Sequence, residues 1–159
     1  MSRVLQIRNR QRRWRIDTRR LKALLAEVLA GELGVVSFEI GIHLVGAAEM
    51  ARVNETFLQH EGSTDVITFS HRASPSPTDL HGEIYVCVDE AVALAPRFRS
   101  TWQAEIVRYA VHGCLHLQGH DDLEPAARRA MKRVENRLMR SLRKRFAPAE
   151  IGHKVKPAT

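Results

Sequence analysis

Apolar residues recur along this chain with two periods, and each period marks a type of element. Val4–Ile7 is a short apolar run that predicts a first strand. Behind Asp17 and Thr18, either of which can cap a helix, Leu21, Leu24, Leu25, Val28 and Leu29 recur at helical spacing, and Gly31 and Gly34 should end that helix. Val36–Val45 alternates in part (Phe38, Ile40, Ile42, Leu44) and predicts a strand; Ala47–Leu58 is helical, with Met50, Val53 and Phe57 on one side. Val66–Phe69 and Ile84–Val88 read as two more strands around a Pro- and Ser-rich loop, Ser74–Asp79. Asp89 is placed to cap a short helix running towards Phe98. Thr101 opens a helix whose Trp102, Ile106, Tyr109 and Ala110 lead into a histidine-rich segment. Pro125 fits the first turn of a last helix, to about Leu142, with Ala126, Met131, Val134, Leu138 and Leu142 inward.

The order of elements predicts an α+β fold: a single compact domain over residues 1–142, with a small mixed β-sheet of about four strands packed with about five helices. Residues 143–159 have few apolar positions and are expected to form a disordered basic tail.

Composition adds a class and a partner. The chain has 159 residues, 44% of them hydrophobic and 27% charged, enough apolar material for one real core. Lys and Arg number 25 against 18 Asp and Glu, a net charge of +7, which either favours polyanions such as nucleic acid, ribosomes or anionic membrane or is a solvated basic face with no partner. Much of the excess lies in Arg8, Arg10, Arg12, Arg13 and Arg15, an arm able to meet phosphates or simply to be solvated, with Trp14 inside it as a base-stacking residue or a core anchor. Two cysteines, Cys87 and Cys114, make no disulfide framework, and a reducing compartment is the simpler expectation. No apolar run reaches the roughly 20 residues that span a bilayer, and the basic N-terminus is not followed by the apolar stretch of a secretory signal. A cytoplasmic protein with no membrane partner is expected.

The chemistry is concentrated in His112-Gly-Cys-Leu-His116-Leu-Gln-Gly-His-Asp-Asp122. Residues four apart on a helix are separated by about 40° of rotation and one turn of rise, so His112 and His116 project from one face and can reach one metal ion. Gly119 is a natural stop for that helix, and His120, Asp121 and Asp122 follow it as three candidate further ligands. Gly113 stands where the H-E-x-x-H metallopeptidases place their general base, so that mechanism lacks its glutamate, and a residue without a side chain should leave room beside a metal. Cys114, about 200° around the helix from His112, should face away and pack.

These residues resemble a family. The YbeY family of bacterial endoribonucleases, rRNA maturation factors, carries H-G-x-L-H-L-x-G-Y-D-H, and His112 to Asp122 follows that pattern. Thr64-Asp65-Val66-Ile67-Thr68-Phe69 is similar to the family's T-D/N-V-L-S-F, Asn54-Glu-Thr-Phe57-Leu58 to N-x-x-Y-R, and Gly82-Glu83-Ile84 to Gly-Asp/Glu-Ile, over roughly residues 36–140. The resemblance implies one divalent metal of the zinc type, no small-molecule cofactor, hydrolysis of single-stranded rRNA, and a part in maturing the 3′ end of small-subunit rRNA with the ribosome as partner. It departs from the family at two places: Asp122 replaces the third histidine, and Leu58 replaces an arginine.

The third ligand is then assigned to Asp122, because a turn at Gly119 carries His120 off the helical stripe and returns Asp122 towards the metal. A carboxylate in that place also suits Fe(II), which leaves the metal's identity open. Asp121 and His120 are candidate catalytic groups, and Arg52, Arg72, Arg97 and Arg99 are candidates for the phosphate contact that Leu58 cannot make. The nucleophile is either a metal-bound water or the 2′-hydroxyl. The competing reading is a non-catalytic ribosome-assembly factor in which the metal only staples the fold.

Overall fold

The computed structural model describes residues 2–154. Strand β1 (Arg3–Asn9) is followed by the short β2 (Trp14–Ile16) and helix α1 (Thr18–Glu27). Then come β3 (Ser37–Val45), α2 (Ala47–Leu58), β4 (Val66–Ser70), β5 (Asp79–Cys87) and α3 (Val88–Leu94). Helices α4 (Trp102–Leu117) and α5 (Pro125–Arg145) and strand β6 (Gly152–Lys154) complete the described chain. The main sheet has the order β1-β3-β5-β4. Its β1–β3 and β3–β5 pairs are parallel, and β4 closes one edge antiparallel to β5. The fold is α+β with a mixed four-stranded sheet and five α-helices among the described residues.

Alternation along the strands divides the sheet into two faces. Leu5, Ile40, Ile42, Leu44, Leu80, Ile84 and Val86 point to one side and join the buried residues of α1, α4 and α5 in the main core. Helix α4 is the centre of that core: Ile106, Val107, Ala110, Val111, Cys114 and Leu115 are all at most 1% exposed. The other face is covered at one end by α2, where Val45, Met50, Val53, Ile67 and Cys87 form a second, smaller cluster.

Local chemistry explains most boundaries and several departures from expectation. Asp17 caps α1, its carboxylate accepting from the Arg20 N–H at 3.0 Å. The helix does not stop at Gly31 but widens into a π-helical turn over Val28–Glu32, and Gly34, at φ +64°, stops it. Asp89 does not cap its own helix: Oδ2 accepts from the N–H of Ala47 at 2.7 Å, capping α2, whose preceding residue Gly46 has no side chain to offer. Strand β5 begins at Asp79, well before Ile84, because Leu80 and Gly82 continue its inward set, while Val88 belongs to α3.

The largest departure is the C-terminal segment. Helix α5 runs to Arg145, Pro148–Ile151 forms a 3₁₀ turn, and β6 pairs antiparallel with β2. Ile151 is fully buried, its carbonyl accepts from the Asp17 N–H at 2.6 Å, and Arg145 pairs with Glu27 and Glu32. One apolar side chain in a core slot and a short backbone ladder thus order a segment expected to be disordered from residue 143; residues 155–159 lie outside the described chain. The same ribbon settles Trp14, which packs on Trp102 with ring centroids 4.8 Å apart and acts as an anchor. No helix among the described residues is long and apolar enough to cross a membrane.

Candidate metal centre and its cleft

Thr101 starts α4 by accepting from the Ala104 N–H, and the helix ends at Leu117 with Gly119 at φ +106°, a conformation that favours glycine. The N–H of Gly119 bonds the carbonyl of His116, and that of His120 bonds the carbonyl of Leu115, so the chain reverses at once. The reversal brings Asp122 back over the last turn. Its Oδ2 lies 3.7 Å from His112 Nε2 and 3.5 Å from His116 Nε2, and the two Nε2 atoms are 3.1 Å apart. Donors bound to one tetrahedral ion at about 2.0–2.1 Å sit roughly 3.3 Å from each other. This is the group among the described residues able to hold a metal ion.

Hydrogen bonds behind the rings decide which nitrogens are available. His116 Nδ1 faces the main-chain carbonyl of His120 at 3.0 Å; a carbonyl only accepts, so Nδ1 carries the proton. His112 Nδ1 lies 2.9 Å from Glu135 Oε2. Burial pushes the Glu135 carboxyl up, but hydrogen bonds from His112 and Arg108 and the charge of Lys132 outweigh it and hold the pKa at about 2. Glu135 is therefore a carboxylate, and His112 Nδ1 is also the protonated nitrogen. Both Nε2 lone pairs are left facing the Asp122 carboxylate. Two lone pairs and a carboxylate converging on one point make a donor set for a divalent cation, with each imidazole oriented from behind as metal-ligating histidines are.

Glu135 was not anticipated from the sequence. It is 3% exposed, and its Oε1 accepts from Arg108 Nη1 at 2.9 Å. A signal existed: Glu135 falls in the inward stripe of α5, four residues after Met131 and three before Leu138, and an acid in a buried stripe needs partners. Arg108, one helical turn before His112, also went unnoticed; its Nη1 bonds Asn136 Oδ1 at 2.8 Å as well.

The remaining candidates separate clearly. Of His120 it is the carbonyl that touches the site, while Asp121 caps its own turn by accepting from the Leu123 N–H at 2.9 Å. Cys114 is buried, its thiol pushed up to about 12 by burial, and it packs as expected. Gly113 does not open space beside a metal. It faces the sheet, and a Cβ there would lie 2.7–3.0 Å from the Ile84 side chain. Its missing side chain sets the close approach of α4 to β5.

A cleft of about 1060 Å³ opens beside the cluster between α4, α5 and the start of β4. His112, Asp122 and Glu135 lie on it together with Asp65, Glu105, Tyr109 and a cationic set of Arg99, Arg108, Arg128, Arg129, Lys132 and Arg143. Of the four arginines singled out in the sequence, Arg99 lines the cleft and Arg52, Arg72 and Arg97 do not; Arg72 is held by Asp79 at 2.8 Å. Phe57 and Leu58 are exposed and also lie outside its lining, as do the arginines of the N-terminal arm. Tyr109, a cleft residue, has a buried hydroxyl without a hydrogen-bond partner among the described residues.

The chain is similar to known proteins over most of its length. The family model described as Endoribonuclease YbeY matches residues 6–143. A protein of Salinibacter ruber named Endoribonuclease YbeY is 31% identical over 133 residues, 80% of this chain and 84% of the relative. A second, of Chlorobium phaeovibrioides and with the same name, is 35% identical over 139 residues, 87% and 90% of the two chains. The solution structure of TM1509 from Thermotoga maritima superposes with a TM-score of 0.60 at 26% identity, covering 89% of this chain and 93% of that one. With the family model spanning nearly the whole described fold and the cluster at the motif that first suggested it, the chain belongs to the YbeY family of endoribonucleases.

Proposed function

We propose that this chain is a metal-dependent endoribonuclease that cleaves single-stranded RNA and acts in maturing the 3′ end of small-subunit rRNA, with the ribosome as its partner in the cytoplasm. The observation that carries the reading is the convergence of His112 Nε2, His116 Nε2 and Asp122 Oδ2 on one point, with Glu135 and the His120 carbonyl taking the opposite nitrogens. These three residues are the proposed ligands of one divalent ion, taken as Zn²⁺, although two histidines and a carboxylate also suit Fe(II). When bound, such an ion polarises a phosphoryl oxygen and acidifies a water.

The residues of the chain supply the rest. Glu135, ionised and buried, holds the His112 ring and fixes its tautomer. The cationic wall of the cleft favours a phosphodiester strand, and its opening at the cluster brings that strand to the metal. Three protein donors are one fewer than a closed structural zinc site uses, which favours chemistry over stapling.

The non-catalytic assembly factor stays as the second reading because Leu58 offers no charge. One experiment separates the readings: single-stranded RNA and casein are each incubated with the purified chain, with and without a chelator. RNA cleaved only without chelator, and casein intact, is the expected result. RNA bound but uncut supports the assembly factor, and cleaved casein defeats both.

A further inference from the structure

A cation beside the metal speeds cleavage of a phosphodiester by holding the phosphate oxygens as charge develops on them. We propose that Arg128 is that residue, an inference that rests on the endoribonuclease reading above. Arg128 lies in the first turns of α5, exposed and on the lining of the cleft. Its Nε donates to the main-chain carbonyl of Asp122 at 3.0 Å. The carboxylate of that same Asp122 is 3.5 and 3.7 Å from the two Nε2 atoms. One bond thus roots the guanidinium on the residue that completes the cluster, and uses the carbonyl, so the carboxylate remains available for the ion. Neither Nη of Arg128 has a partner among the described residues. A guanidinium held by Nε and free at both Nη atoms presents the fork that binds two non-bridging phosphate oxygens.

The other cations of the cleft are placed differently. Arg108 is nearer the core, but its Nη1 is committed to Glu135 and Asn136. Lys132 leans on Glu135 at 3.5 Å. Arg99, Arg129 and Arg143 line the walls without a bond to any residue of the cluster, as expected of groups that attract the strand along its length. Arg128 alone of the described arginines combines a bond to a proposed metal-ligand residue with an unpaired fork.

The test uses the full chain loaded with zinc, a single-stranded RNA substrate, and the variants Arg128→Gln, Arg128→Lys and Arg133→Gln. Arg133 is exposed on the same helix and lies off the cleft lining. Arg128→Gln should keep its zinc, lower kcat by about 10²-fold, and reduce the slope of log(kcat/KM) against log[salt] by about 0.7, the share of one phosphate contact on a single strand. Arg128→Lys should recover part of kcat, and Arg133→Gln should match the wild type. Wild-type kcat and slope in Arg128→Gln overturn the proposal; so does loss of zinc from it, which would make Arg128 a brace for Asp122. Should the wild type bind RNA without cutting it, the endoribonuclease reading fails by itself, and the salt slope of binding still decides Arg128. RNA neither bound nor cut overturns both.

Discussion

Two regions of this molecule hold two histidines and a carboxylate in close contact, and they differ in which nitrogens are spent. On α4, His112 and His116 use Nδ1 on Glu135 and on a carbonyl, and their Nε2 atoms meet at 3.1 Å in front of Asp122. On the far face of the sheet, His43 Nε2 lies 3.0 Å from Glu83 Oε1, and His71 Nε2 lies 2.7 Å from Oε2 of the same group. Burial raises the Glu83 carboxyl, but the two histidine hydrogen bonds outweigh it and leave it below its ordinary value. Glu83 can therefore only accept, and both histidines give it the proton on Nε2. His43 keeps a buried Nδ1 with no partner among the described residues, its ring stacked on Tyr85. One region presents lone pairs to a common point; the other divides a single carboxylate between two donors. Residue type is shared, and the hydrogen bonds behind the rings make the difference.

The comparison breaks most directly at the ligands. His112→Ala and His116→Ala should each lose the metal and the RNA cleavage, by more than the roughly 10–100-fold that removing an orienting partner costs. His43→Ala and His71→Ala should leave metal content and cleavage at the wild-type level. Elemental analysis beside a cleavage assay measures both; metal lost from His43→Ala would show that the two regions are not independent. Next in size is Glu135→Gln, which keeps the shape but removes the charge that fixes His112. Its metal affinity should fall about 10–100-fold, read by competition with a chromogenic chelator, while Asn136→Ala changes it little.

How much of this was legible depended on how local each cause is. The paired histidines and the return of Asp122 follow from the helical period and from one glycine at φ +106°, both contained in eleven residues. The strands β1, β3 and β4 and helix α2 were visible for the same reason. Glu135 lies 23 residues from His112, and its buried role appears only when α5 packs on α4. Asp89 sits in the first turn of α3, but the helix start its carboxylate caps is that of α2, 42 residues away. The order of Gly152–Lys154 depends on β2, at the opposite end of the chain. The reason for Gly113 lies not in the motif but in Ile84 on the strand beneath.

That reassignment gives a smaller test. Gly113→Ala inserts a Cβ 2.7–3.0 Å from the Ile84 side chain. It should cost about 1–3 kcal/mol of stability by overpacking, with metal affinity unchanged in the folded protein. In a double-mutant cycle with Ile84→Ala, which removes all three contacting carbons, the pair should cost less than the sum of the two single losses in a denaturant titration. A Gly113→Ala protein of wild-type stability with weakened metal binding would return Gly113 to the metal side of the helix.

The smallest expected effect belongs to the far face, and its sign follows from Glu83. A carboxyl whose folded pKa lies below its unfolded value, here 4.5, stabilises the fold fully above that value. The contribution is lost as pH falls through the folded value, because the unfolded chain binds the proton first. Wild-type stability should therefore decline on acidification below about pH 4.5 more steeply than that of Glu83→Gln. The glutamine keeps one acceptor for one histidine, so the two proteins should converge at low pH and separate above it. The side chain is a third exposed, and screening keeps the separation small. Cleavage and metal content of Glu83→Gln should equal the wild type, because its oxygens are occupied by His43 and His71 and reach neither His112 nor His116. Chemical denaturation across this pH range gives the first result, and elemental analysis with the RNA assay gives the second. A Glu83→Gln protein with an unchanged pH profile would mean that the two histidine bonds do not hold in solution. One that lost its metal would mean that this carboxylate, too, belongs to the metal centre.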